Sequence, residues 1–240
     1  EIVSRDWSSD VCSSDLGHAE PRLASPLVGV AGTHGDDVVT WAAMYAGIEL
    51  RPWQVELMRS LLAVGVDGRL RWFEAMASTG RQNGKSLCIR ILAGWWATAE
   101  ARRRGRPQTV VIASNKLSRV ADIMGPLGEL MADKFGAKVR TGNNRPGITL
   151  ADGSQILPVA ATPDQHGLTA DCVLLDEIWD VDKETMVGAL RPAMRSRPES
   201  LLVAWSTAGH AGSELMRELR NKGINGIKTG DPGQIGRAHV

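Results

Sequence analysis

The stretch from Arg71 to Ala101 limits the possible folds of this chain more than any other part of it. Arg71 to Ala77 is a short strand-like run, Ser78 to Gly84 is a loop, and Lys85 to Ala101 has strong helical character. Inside it, Thr79-Gly-Arg-Gln-Asn-Gly-Lys-Ser follows a strand and opens a helix, the setting in which such a segment works as a phosphate loop. Gly84 lets the backbone curl so that successive N–H groups face one side. The helix N-terminus adds a partial positive charge. Lys85 adds a full charge for the β- and γ-phosphates, and the Ser86 hydroxyl is a ligand for Mg²⁺. Thr79 stands where the common pattern has its first glycine, and Gly80 beside it is expected to supply the missing freedom. The plainer alternative is a strand-to-helix turn that happens to contain Gly-Lys-Ser.

A second constellation lies downstream. Cys172-Val-Leu-Leu-Asp176-Glu177 reads as a buried strand ending in two adjacent carboxylates. Asp176 is placed to hold the Mg²⁺ water shell, and Glu177 to polarise an attacking water, the step that separates hydrolysis from binding. Two acids at a strand-to-loop junction are also common on surfaces, but both motifs in this order point to a Mg-nucleotide site.

Three further positions join them. Arg81 is either a cation for γ-phosphate charge or a solvated loop arginine. Gln54, in Arg51-Pro-Trp-Gln, has an amide able to pair with an adenine edge through one donor and one acceptor; a solvent-facing helix glutamine is the alternative. Ser206-Thr207-Ala208-Gly209 ends the strand after the acid pair, where Thr207 can sense the γ-phosphate.

The remaining segments supply the frame. Helices are expected from about Asp37 to Gly47, from Pro52 onward, from Lys116 to Phe135, near Lys183 to Arg195, and from Gly212. Thr109 to Ser114 is a continuous β-branched run, as in a strand covered on both faces. Asp171 to Leu175 and Leu201 to Ser206 are further strands, and Asp152-Gly153 is a hairpin turn between Ile148-Thr-Leu and Gln155-Ile-Leu. Strands alternating with helices predict an α/β fold: a mostly parallel central sheet flanked by helices on both faces. One domain over residues 37–222 is expected, with 17–36 as a loose lead-in and 223–234 as the start of a linker.

Asp6 to Leu16 (DWSSDVCSSDL) and Ile235 to Val240 (IGRAHV) resemble translated sequencing-adaptor sequence. Residues 1–16 and 235–240 are therefore set outside the fold. The full chain carries a formal net charge of +1, too little to argue nucleic-acid binding by itself. No apolar run is long enough to cross a bilayer. Cys12, Cys88 and Cys172 lack metal-type spacing, and the last two lie in apolar segments, as small core residues in a reducing setting do.

Together, Pro-Trp-Gln, Arg-Gln-Asn-Gly-Lys-Ser, Leu-Leu-Asp-Glu and Ser-Thr-Ala-Gly resemble the ATPase domain of tailed-phage terminase large subunits. The resemblance covers roughly Asp37 to Lys222, and the loop with an arginine and no first glycine is its most specific part. It implies a P-loop ATPase with ATP and Mg²⁺ as cofactors, driving double-stranded DNA into a viral procapsid. It assigns the phosphate loop to Thr79, Gly80, Arg81, Gln82, Asn83, Gly84, Lys85 and Ser86. Asp176 becomes the metal carboxylate, Glu177 the catalytic one, Thr207 part of the coupling motif and Gln54 the adenine contact. It further implies a small terminase subunit and a portal as partners, a homo-oligomeric ring, and work in the cytoplasm of an infected bacterium. Such proteins continue into a nuclease domain with its own acidic metal cluster. None is visible here, so ATP hydrolysis without DNA cleavage is expected. A superfamily-2-type helicase lobe and a non-hydrolysing ATP-binding assembly module are the competing readings.

Arg102, Arg103, Arg104 and Arg106 close the helix after the phosphate loop, where cations suit the dipole; contact with DNA or a neighbouring subunit is the alternative. Arg191, Arg195 and Arg197 follow the acid pair, and one of them acting across a ring interface is a further expectation. Trp95, Trp96 and Trp205 are expected in the core, and His166 has no assigned role.

Overall fold

The computed structural model describes residues 21–142, 146–162 and 168–230, and the backbone of 235–239. The chain opens with strands β1 (Leu23–Ala24) and β2 (Val30–Thr33). Helix α1 (Gly35–Trp41) runs on through a wider π-type turn, Ala42–Ala46, and ends at Gly47 in the left-handed region. Helix α2 (Pro52–Leu61) has its proline at the first position, where no N–H is needed, and leads to β3 (Ala63–Gly65). Strand β4 (Glu74–Ser78) enters the phosphate loop, and α3 (Lys85–Trp95) continues through Trp96–Glu100 into α4 (Ala101–Arg104). Next come β5 (Thr109–Ser114), α5 (Leu117–Phe135), β6 (Lys138–Arg140), β7 (Gly147–Thr149) and β8 (Gln155–Ala160). Strand β9 (Cys172–Leu175) is followed by a single tight turn at Ile178–Asp180. Helices α6 (Lys183–Thr185) and α7 (Arg191–Met194) are joined through Met186–Leu190. Strand β10 (Leu201–Ser206), helix α8 (Glu214–Thr229) and strand β11 (Ile235–His239) complete the described chain.

The main sheet has the order β1-β11-β4-β10-β9-β5-β8-β7-β6 among the described residues. Every pair from β11 to β8 is parallel, and β7, β6 and β1 add antiparallel edges. Alternation along the parallel strands explains why both faces are covered. Val110, Ile112, Cys172, Leu174, Val203 and Trp205 face one apolar cluster with α1, α2, α3 and α5. Val111, Ala113, Val173, Leu175, Leu202 and Ala204 face a second cluster with Met186, Leu190, Met194 and α8. With both faces buried, these strands read as unbroken apolar runs, as expected. Trp95, Trp96 and Trp205 are fully buried, which places them in packing. Burial pushes the Cys88 thiol up to about 12, and that of Cys172 well above its usual range.

Three expected boundaries change. Residues 223–229, expected as the start of a linker, continue helix α8 to Thr229. Residues 17–36 include β2, which pairs antiparallel with β3. Four residues without clear alternation carry too weak a pattern to be read ahead of their partner. Residues 235–240 were set outside the fold, yet the backbone of Ile235–His239 pairs in parallel along β4, from Glu74 to Ser78. An open sheet edge offers main-chain donors and acceptors that any extended segment can meet, whatever its sequence. A hairpin forms at Asp152-Gly153, but its loop is the three residues 151–153 and not the expected two, closed by the Leu150 N–H to the Ser154 carbonyl at 2.9 Å, with Gly153 at φ 89°.

The arginines after α3 tie the frame together. Glu100 is fully buried and accepts from Arg103 Nε and Nη2 and from Arg104 Nε, each at 2.6 Å. Arg104 also donates to the Glu199 carbonyl at 3.0 Å, just ahead of β10. Arg106 and Arg197 flank buried Asp171, at 2.8 and 3.7 Å, before β9. Arg191 makes a forked pair with Glu74 at the start of β4. Burial alone would raise the Glu100 carboxyl; the two arginines outweigh it and hold it below the usual glutamate range. A depressed folded value stabilises above the unfolded pKa, about 4.3, and the gain is lost as pH falls through the folded value. Glu100→Gln is thus expected to destabilise the chain at neutral pH by about 1–3 kcal/mol, the cost of losing charged hydrogen bonds, since Arg104 keeps the Glu199 and Pro198 carbonyls. In thermal melts, the gap to the unmodified chain should narrow below about pH 4.

Candidate active site

The parallel strands β4, β10, β9 and β5 end together on one side of the sheet, with Ser206 opposite Ser78 and Leu175 opposite both Ala204 and Ala113. β10 lies between the strand that feeds the phosphate loop and the strand that carries the acids. The Thr79 N–H donates to the Ser206 carbonyl at 3.1 Å, so the loop begins already fastened to β10. Thr79, in the place of the first glycine, is buried, and its hydroxyl takes no hydrogen bond.

The loop turns at Gly84, as expected, and at Gln82 in place of Gly80. Gly80 has ordinary φ, whereas Gln82 (φ 61°) and Gly84 (φ 85°) are left-handed on either side of Asn83. Such alternation turns successive N–H groups toward one concavity. Among the described residues, the N–H groups of Gly80 to Gly84 donate to no main-chain carbonyl. A Cβ on Gly84 would stand 2.7 Å from Gln54 Nε2, so the end of that side chain lies against the loop. Gln54 is therefore no solvent-facing residue. It is buried, its Oε1 accepts the Arg51 N–H at 2.9 Å at the start of α2, and its amide end abuts the loop. Arg81, Gln82, Asn83 and Ser86 are exposed.

Lys85 meets both acids. Its Nζ lies 2.9 Å from Asp176 Oδ1 and hydrogen-bonds Glu177 Oε1, and all three side chains are largely buried. Glu177 itself is left-handed (φ 55°, ψ 54°), an uncommon conformation for a residue with a side chain. Its Oε2 accepts the Trp179 indole N–H at 2.5 Å and the Thr207 hydroxyl at 3.4 Å. Burial raises both carboxyls. For Asp176 burial prevails over the Lys85 charge, and its pKa lies above the usual range. For Glu177 the Lys85 bond and charge prevail, helped by Trp179 and the Thr207 main chain, and its pKa lies below.

The structure thus brings together Lys85, Asp176, Glu177, Thr207, the loop and Gln54. It does not bring Arg191 or Arg197 there: their partners, Glu74 as the first residue of β4 and Asp171 just before β9, lie at the opposite strand ends from the acids. His166 lies outside the described residues. Trp179 was not singled out from sequence; an indole two residues past an Asp-Glu pair was its signal.

One buried atom bears on a metal. Asp176 Oδ1 is shielded from solvent and has only the ion pair with Lys85, with no aligned hydrogen bond. A hard cation sharing Asp176 with a hydroxyl such as Ser86 and with phosphate oxygens suits this donor set. Among the described residues no cluster of three or more His, Cys, Asp or Glu forms a metal cage by itself.

A parallel sheet with a phosphate loop, an acid-tipped strand and one strand between them defines a P-loop nucleotide-hydrolase fold. That fold is shared with large terminases of bacteriophages. The large terminase of bacteriophage HK97 superposes with a TM-score of 0.68 at 18% identity, over 87% of this chain and 44% of that one. The ATPase domain of the Thermus phage P74-26 large terminase gives 0.57 at 20%, over 82% of this chain and 80% of that domain. The large terminase of the thermophilic bacteriophage D6E, in complex with ATP-γ-S, gives 0.52 at 12%, over 87% and 44%. The chain therefore spans less than half the length of the HK97 and D6E terminases. No protein-family model and no curated protein matches it.

Proposed function

We propose that this chain is the ATP-hydrolysing motor domain of a large terminase, which drives double-stranded DNA into a viral procapsid. The meeting of Lys85 with Asp176 and Glu177, beneath a loop whose N–H groups are free for an anion, carries the reading. In this reading Gly80, Gln82, Asn83 and Gly84 present the loop backbone to phosphate, with Thr79 fastening it to β10. Lys85 neutralises phosphate charge, Arg81 at the exposed tip adds a cation, and Ser86 and Asp176 hold Mg²⁺. The ion draws charge from the phosphate oxygens when bound. Glu177 orients a water and takes its proton. Thr207, bonded to Glu177 at the end of β10, reports on the γ-phosphate side of the site. Gln54 supports the loop in this arrangement; contact with adenine would require it to release the Arg51 N–H. The proposed partners are double-stranded DNA, a small terminase subunit, a portal and further copies of this chain in a ring, in the cytoplasm of an infected bacterium. No helix among the described residues is long and apolar enough to cross a membrane.

Phosphate release from ATP tests the reading, measured with and without Mg²⁺ and with and without linear duplex DNA, at concentrations that permit oligomers. Metal-dependent release, raised by duplex DNA and unaccompanied by plasmid cleavage, is expected. Tight ATP binding with no release under every condition favours an assembly module instead. Strand displacement would favour a helicase.

A further inference from the structure

Glu177 is held on one carboxylate oxygen by Lys85 and on the other by Trp179 and Thr207. On one side stands Lys85, the residue that the phosphates would draw away. On the other stands Trp179, whose indole N–H donates to Oε2 and which belongs to no phosphate contact. We propose that Trp179 is a positioning residue for Glu177: it keeps the carboxylate in place when Lys85 turns to a bound phosphate. This rests on the hydrolytic reading above.

The surroundings of the indole support the assignment. Arg119 from α5 places its guanidinium 5.6 Å from the Trp179 ring centre. The same guanidinium is fixed by Asn115 Oδ1 at 3.0 Å and Asp180 at 3.4 Å, and Asn115 in turn donates to Asp180. The end of β5, the start of α5 and the turn after the acids thus close around one ring. His210, in the loop after β10, meets the other part of that ring edge-on at 5.5 Å. Arg119 and His210 thus flank the ring, while its one polar atom points at Glu177.

Two measurements decide the matter. In the first, ATP turnover and nucleotide affinity are compared for Trp179→Phe, Glu177→Gln and the double variant. Trp179→Phe should lower kcat about tenfold, the loss of one hydrogen bond to a charged group, with Kd for nucleotide unchanged. The double variant should be no slower than Glu177→Gln alone, because both changes act through one carboxylate. A wild-type kcat in Trp179→Phe, or a further slowing in the Glu177→Gln background, overturns the proposal. The second measurement needs no activity. With ¹⁵N-indole labelling, the chain's eight tryptophans give separate N–H signals, and Trp179→Phe identifies the one of interest. That signal should shift in Glu177→Gln and keep its unmodified position when Mg²⁺ and a non-hydrolysable ATP analogue are added. A nucleotide-induced move to the Glu177→Gln position refutes the retained contact. Should the unmodified chain bind nucleotide without turning it over, the hydrolytic reading fails, and the indole signal still decides whether the contact exists.

Discussion

Glu177→Gln is expected to bind ATP as tightly as the unmodified chain and to turn it over about 10²–10⁴-fold more slowly. The substitution keeps the shape of the side chain and removes the charge and the proton acceptor. In the proposed reading, phosphate binding rests on the loop N–H groups, on Lys85 and on Ser86, all of which the substitution leaves in place. Burial pushes the Glu177 carboxyl up and Lys85 holds it down. Isothermal titration with a slowly hydrolysed analogue and a phosphate-release assay separate binding from turnover. Equal loss of binding and turnover would sink the role given to Glu177.

Lys85→Met is expected to abolish both, with a consequence for stability that Glu177→Gln does not share. Lys85 is the counter-charge to two carboxylates that lie almost out of solvent. Removing one partner of a buried ionic group and stranding the others costs about 3–5 kcal/mol. The sign with pH follows from burial, which then raises both folded pKa values above their unfolded ones. Groups raised in this way leave stability intact below the unfolded pKa and withdraw it as pH rises through the folded value. The melting temperature of Lys85→Met should therefore fall most, relative to the unmodified chain, at pH 8, and least near pH 4. A uniform difference across that range would show that the acids are neutralised by something else.

The site was more legible than the frame. Lys85, Ser86, Asp176 and Glu177 announce themselves because their chemistry needs fixed residue types where strands end and helices begin. Buried parallel strands such as Thr109–Ser114 and Leu201–Ser206 were equally plain, since apolar cover on both faces leaves unbroken runs. Short strands were not. Val30–Thr33, Ala63–Gly65 and Lys138–Arg140 owe their conformation to a partner, which a local pattern does not contain. Gly80 was read as the flexible point of the loop because it is a glycine next to a missing one, whereas the chain turns at Gln82, a residue with no such mark. Gln54 was read for its amide chemistry. Its place as the third residue of a helix opened by Pro52, where a glutamine reaches back to the preceding backbone, was the better guide to its location. Arg103, Arg104 and Arg106 were legible as cations at a helix end, and Arg191 and Arg197 as candidates for a ring interface; their carboxylate neighbours, apart from Glu100, are too distant in sequence to be foreseen.

The strand between the loop and the acids gives the site its internal dimensions. β10 is hydrogen-bonded to β4 on one side and to β9 on the other, residue by residue up to the strand ends. Adjacent strands stand about 4.8 Å apart wherever main-chain ladders form. The gap between the loop and the two carboxylates is therefore gauged by backbone, and core side chains have little say in it. Substitutions that loosen either apolar layer should shift the temperature at which the domain melts and spare KM and kcat at temperatures where it is folded. Durability and catalytic geometry in this domain are tunable separately, which makes it a tolerant scaffold for changes far from the strand ends.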